Sequence, residues 1–193
     1  MERGAHADLL DAGIATDGRA FAALLAGRAD EGRAALTEAA ALYRASWEVA
    51  PPRSYGRLVA HLKSAVLAGE GAGAAADWVD GELDGACHSP TSCYALAVAA
   101  LVRGDDATAA RAAAAMAEGG GAFERAAAAL AALAGADAPG YRVAVAAIVA
   151  DFEGRDAHLT GVPIADTAML MEALAAPRGM TAAPDSPLVP APG

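Results

Sequence analysis

Residues 87–152 read CHSPTSCYALAVAALVRGDDATAARAAAAMAEGGGAFERAAAALAALAGADAPGYRVAVAAIVADF, and this stretch decides the fold. It divides into four alanine-rich segments, Thr91–Arg103, Asp106–Glu118, Ala122–Ala134 and Pro139–Phe152. Breaks at Gly104-Asp105, Gly119-Gly120-Gly121 and Gly135-Ala136-Asp137 separate them. Alanine is the strongest helix former because it loses no rotamer freedom. Glycine and aspartate in the breaks end one helix and cap the next. Tyr141, Val145, Ile148 and Phe152 repeat at helical spacing. The β-branched and aromatic runs that strands require are nearly absent. Four successive helices, and an all-α chain, follow.

The same composition runs outward from this block. The chain has 193 residues, 55% hydrophobic but only 5% aromatic, with a mean hydropathy of +0.29. That length supports one sizeable core. Towards the N-terminus, Arg53–Ala68 is amphipathic: Tyr55, Leu58, Leu62 and Ala65 make an apolar face, and Ser54, Arg57, His61 and Ser64 a polar stripe. Gly69 follows as a C′ glycine. Before it lies a helix over about Glu31–Val49, ended by Pro51-Pro52, and after it a weaker one over Ala72–Leu83. Asp8–Ile14 and Arg19–Ala26 read as two short helices or one broken at Gly18, with Thr16 or Asp17 as a cap. Ser89-Pro90 gives a cap with proline in the first turn. Towards the C-terminus, Val162-Pro163 opens a last helix that Pro177 stops. The proline-rich tail Arg178–Gly193 reads as extended or disordered, tacked down by Leu188-Val189. The organisation expected is a single α-helical domain over residues 1–177 of about 8–9 helices, with a tail over 178–193.

A short pattern recurs: an apolar residue, a spacer, a glycine turn and an alanine-rich helix, at Gly27, Gly69, Gly104 and Gly135. The last two intervals bracket the ~34-residue tetratricopeptide period. The segment Tyr94–Ala117, with Gly104-Asp105-Asp106 at its turn, resembles a tetratricopeptide (TPR) unit in which alanine replaces most aromatic positions. The resemblance implies an irregular αα-hairpin array, whose units bury their apolar faces by stacking. A compact helical bundle is the alternative. Val162-Pro163-Ile164-Ala165-Asp166-Thr167, Arg178-Gly179, Ser186-Pro187-Leu188 and the segment Pro52–Leu67 are similar to actinobacterial helical proteins of the immunity protein 49 family. That similarity implies an all-α fold and a role in binding a toxin, and carries over no binding residue.

Charge narrows the function. A net charge of −10 and a pI near 4.7 argue against nucleic acid and against anionic membranes. They suit another protein, of basic character, as partner. Met1 to His6 has no basic segment followed by an apolar one, and the longest apolar run, Cys93–Val102, falls short of the ~20 residues a membrane span needs. Two cysteines make no disulfide framework, so a reducing, cytoplasmic setting is expected. Cys87, His88 and Cys93 lack the number and spacing of a zinc site, and Cys93 reads as a small buried hydrophobe.

Ser54, Tyr55, Arg57, His61, Trp78 and Tyr94 are the candidate binding residues, on a groove surface between helices. Arg57–His61 and Arg155–His158 are both spaced too closely for a helical ribonuclease of the HEPN type. Asp77, Asp80, Glu82 and Asp84 make an acidic face without calcium-loop spacing. Asp166 suits a helix N-terminus, and Trp47 and Trp78 read as core anchors before interface residues. No nucleotide loop, nucleophile elbow or zinc-protease motif is present. The reading is a non-enzymatic protein-binding helical-repeat module, an adaptor or immunity-type toxin inhibitor, with no catalytic residue, metal or cofactor. A homodimer is left open. A small-ligand-binding or hydrolytic protein with a pocket between helices is the alternative.

Overall fold

The computed structural model describes residues 4–190. Met1–Arg3, part of the segment read for a leader, and residues 191–193 of the tail lie outside the described residues. Among the described residues the chain is all-helical, with nine α-helices: α1 Ala5–Leu25, α2 Ala29–Glu48, α3 Gly56–Ala68, α4 Ala72–Leu83, α5 Pro90–Arg103, α6 Asp106–Ala117, α7 Gly121–Ala134, α8 Ala138–Glu153 and α9 Asp166–Ala175. A short 3₁₀ turn, Ala176–Arg178, follows. The four helices of the central block begin and end within one residue of expectation. Ser89 caps α5 in a reciprocal box with Ser92, behind Pro90 in the first turn. Gly69 and Gly104 close α3 and α5 in the left-handed conformation.

Each helix packs on the next, from α1 through α8, and α3, α5 and α7 also touch in succession. The odd-numbered helices α3, α5 and α7 therefore form an inner row. Helix α5 is the most enclosed, with every residue from Cys93 through Leu101 buried except Tyr94. Helix α9 packs on α3, α7 and α8. Its Ala168, Leu170, Met171, Leu174 and Ala175 join the main core.

Three elements differ from the sequence reading. The N-terminal region is one helix, unbroken at Gly18. Gly18 is buried, and a Cβ there would sit 2.9 Å from the Thr160 carbonyl oxygen. Gly13 likewise faces the Tyr43 ring, at 2.8 Å. These glycines let other chain segments approach; they are not turns, and Thr16 and Asp17 are buried mid-helix, not caps. Gly18→Ala should consequently destabilise the fold by about 1–3 kcal/mol through overpacking. An open helical site would instead gain from alanine, so the sign of the shift in thermal midpoint tests the contact.

The last helix begins at Asp166, not at Val162-Pro163. Ala165 donates its N–H to the Leu188 carbonyl at 2.8 Å, so the residues before α9 pair with the tail. Helix α3 starts at Gly56, because Arg53 takes a positive φ of 69° in the preceding turn. Among the described residues the tail has no helix beyond Arg178, and Leu188 and Val189 pack against the core as expected. Met180 is buried, and Glu172 accepts the N–H groups of Ala182 and Ala183 at 2.9 and 2.8 Å.

Candidate functional site

The expected binding residues separate into three places. Tyr55, His61 and Trp78 lie together where α2, α3 and α4 meet. Tyr55 sits between the Trp47 ring, at 5.9 Å, and the His88 ring, at 5.8 Å and nearly parallel. Trp78 receives the edge of His61 at 4.9 Å, and the Arg44 guanidinium stands 4.7 Å from the Trp78 ring centre. The Trp47 indole donates to Glu82 at 2.8 Å, so side chains tie α2 to α4 across the groove. Ser54 marks the edge of this group, donating to the Pro51 carbonyl at 2.7 Å.

Two clefts open on this face. One, of about 370 Å³, lies between Trp47, Pro51, Pro52 and Glu82. The other, of about 280 Å³, runs between α2 and α4 over α3, with Ala40, Ala41, Ala65 and Ala75 among its walls. Small side chains leave that cleft open where larger ones would close it. Glu48, Asp77, Glu82 and Asp84 are exposed around the face. Asp77 and Asp84 form no ion pair among the described residues.

Arg57 turns away from the face. Its Nε donates to Ser46 Oγ at 2.7 Å and its Nη2 lies 3.0 Å from His6 Nδ1, while Ser46 donates to the His6 carbonyl at 2.6 Å. It clamps the start of α1 onto α2 and α3. The expected polar stripe is therefore not a solvated surface: His61 and Ser64 are buried and Arg57 is half-buried. His61 Nδ1 lies 2.8 Å from the Ala40 carbonyl, which makes it the N–H donor of a neutral ring. Burial, then the nearby Arg44 charge, holds its pKa below the ordinary value despite that bond. Its Nε2 is buried without a partner.

Tyr94 belongs to a third place, a buried polar cluster that joins α1, α2, α3, α5 and α9. Asp17 accepts from the Tyr43 hydroxyl at 2.8 Å and from Ser64 Oγ at 2.9 Å. Lys63, the only lysine of the chain, pairs with Asp166, and both side chains are mostly buried. Burial raises the Asp17 pKa, against the pull of Lys63 and the two hydroxyl donors. Burial opposes the Lys63 charge, but Asp166 and Asp17 outweigh it and raise the pKa. The Tyr94 hydroxyl is buried beside Thr167, and burial followed by the Asp166 charge raises its pKa against the pull of Thr167. Asp166 thus does more than meet the dipole of α9: it is the counter-ion of Lys63.

The remaining candidates are simpler. Cys93 is buried in α5, its thiol pushed up to about 12, chiefly by burial, and Cys87 is exposed. Asp80 pairs with Arg103 at 3.0 Å. Among the described residues no helix is long and apolar enough to cross a membrane. No group of three His, Cys, Asp or Glu is placed to hold a metal ion among them either.

The sequence reading missed Arg44 and the cluster around Asp17 and Lys63, and weighed His88 only as a metal ligand. A single lysine among 14 cationic residues was the one available signal, because arginine serves every other basic position. Comparison with protein-family models, curated proteins and solved structures gives no significant match.

Proposed function

We propose that the protein is a non-enzymatic binding module of stacked, tetratricopeptide-like αα-hairpins that takes a basic protein on the face between α2 and α4. One observation carries this reading: half-buried Trp47 and Tyr55 stack at 5.9 Å beside an open cleft, with half-buried Trp78 on the neighbouring helix and exposed carboxylates around them. Aromatics that are partly covered but not sealed, beside open clefts, are the residues that anchor protein interfaces. The acidic rim adds attraction for a cationic surface and faster encounter. The narrower form of this reading is an immunity-type inhibitor that covers the basic working surface of a toxin. Such a face repels its own copy, so self-association through it is disfavoured.

Asp77→Lys tests the face without touching the core, since Asp77 is exposed. In a pull-down from native cytosol, the wild-type chain should retain a basic protein stoichiometrically, with affinity falling as salt rises. Asp77→Lys should weaken that capture about tenfold, equivalent to about 1.4 kcal/mol. Capture unaffected by both salt and charge reversal would remove the face as the binding surface.

A further inference from the structure

A second site lies on the other side of the molecule's polar cluster, where the loop between α8 and α9 folds back. It borders a half-open cavity of about 160 Å³. A 150 Å³ apolar cavity holds a benzene-sized molecule, so about six heavy atoms fit here. Phe152, Val162 and Ile164 supply apolar walls. Arg155, His158, Thr160 and Thr167 bring polar groups to the same space.

The polar groups are not all satisfied. His158 Nδ1 is buried with no hydrogen-bond partner among the described residues, its ring stacked 6.1 Å from Phe152. Arg155 lies flat over Phe152, 3.7 Å from the ring centre, and bonds Asp151 through Nε and Nη2, at 3.2 and 2.5 Å. A guanidinium carries five N–H donors, so its Nη1 pair is left over. Asp151 also receives Arg125, which places two cations on one carboxylate. Asp166 is the one carboxylate on the cavity wall, and Lys63 already neutralises it. Spare Arg155 donors therefore meet a small space walled on one side by apolar side chains. The packing of Thr160 against Gly18 holds the loop in this position.

We infer that this cavity binds a small carboxylate of about six heavy atoms, its carboxyl group on Arg155 and His158 and its short apolar body against Phe152, Val162 and Ile164. A bidentate carboxylate suits the planar guanidinium, and the aliphatic body accounts for the walls. Neither feature belongs to the α2–α4 face, so the two sites stand or fall separately.

Isobutyrate, with six heavy atoms, is the probe, titrated into the full ¹⁵N-labelled chain and followed by NMR. Saturable shifts in the millimolar range, centred on residues 152–167, are expected. Isobutyramide, the uncharged isostere, should leave these resonances in place. Arg155→Gln should weaken isobutyrate about tenfold; the position is exposed, and Arg125 remains to hold Asp151. Val162→Phe, which fills the space, should block it. Equal binding of isobutyramide, inorganic phosphate binding in preference to isobutyrate, or no saturable shift in the wild-type chain would each overturn the assignment.

Discussion

Above pH 10 the protein should lose stability steeply and unfold within a narrow interval. Tyr43, Tyr94 and Tyr141, three of the four tyrosines, are all shifted above their ordinary value of 10.0. Burial is the main cause in each. Asp17 for Tyr43, Asp166 for Tyr94 and Glu172 for Tyr141 add to it, the last accepting from the Tyr141 hydroxyl at 2.7 Å. Lys63 is also raised above its ordinary 10.5.

All four groups keep their protons in the folded chain at a pH where the unfolded chain releases them. The stability they confer is complete below the unfolded values and falls as pH rises toward the folded ones. Each group then removes about 1.4 kcal/mol per pH unit. Four together remove on the order of 5 kcal/mol per unit, against a typical total of about 5–15 kcal/mol. Urea titrations at increasing pH, read by helix content and by tyrosinate absorbance, check this. Tyrosinate should appear together with the loss of helix. Three tyrosines ionising while the helices persist would show that the buried hydroxyls are reachable and the argument wrong.

Removing the Lys63 charge should have a comparable effect at neutral pH. Lys63→Met keeps most of the side-chain volume but leaves Asp166 and Asp17 mostly buried without a cation. Breaking one partner of a buried pair costs about 3–5 kcal/mol, because a charge is left uncompensated. The double variant Lys63→Met, Asp166→Asn strands one charge fewer and should recover a large part of the loss. Urea midpoints of the two variants measure both quantities. A single-variant loss under about 1 kcal/mol would mean that the pair is solvent-screened. Because Lys63 is the only lysine, amine labelling located by peptide mapping separates this one side chain from the α-amino group: native protein should react slowly at Lys63 and unfolded protein quickly.

The helices were legible because alanine-rich segments and glycine-aspartate breaks act locally. Ser89-Pro90 and Gly69 behave in the fold as they read in the chain, since caps depend on neighbours three or four residues away. Gly18 did not, because what decides it is Thr160, on a distant loop that approaches only after folding. The same limit applies to the stripe of Arg57, His61 and Ser64. Polar residues at helical spacing read as a wet surface unless their partners are visible, and those partners, His6, Ala40 and Asp17, come from other helices. Of the binding candidates, Tyr55, His61 and Trp78 meet at one face. Arg57 shares the helix of His61 but is held by Ser46 and His6, and Tyr94, on α5, faces Asp166 in the buried cluster. The small cavity was not legible at all, as its walls come from α8, α9 and the loop between them, which has no period to read.

The placement of α9 bears on how the chain matures on the ribosome. Lys63 waits for a counter-ion 103 residues further on, and helices α3, α7 and α8 wait for the apolar side of the same late segment. A nascent chain can pair its early helices as they emerge, but carries an unmatched ammonium and an uncovered apolar seam until Asp166–Ala175 has been synthesised. Premature termination before that point should therefore produce a chain prone to proteolysis and aggregation, even though most of its helices are already encoded.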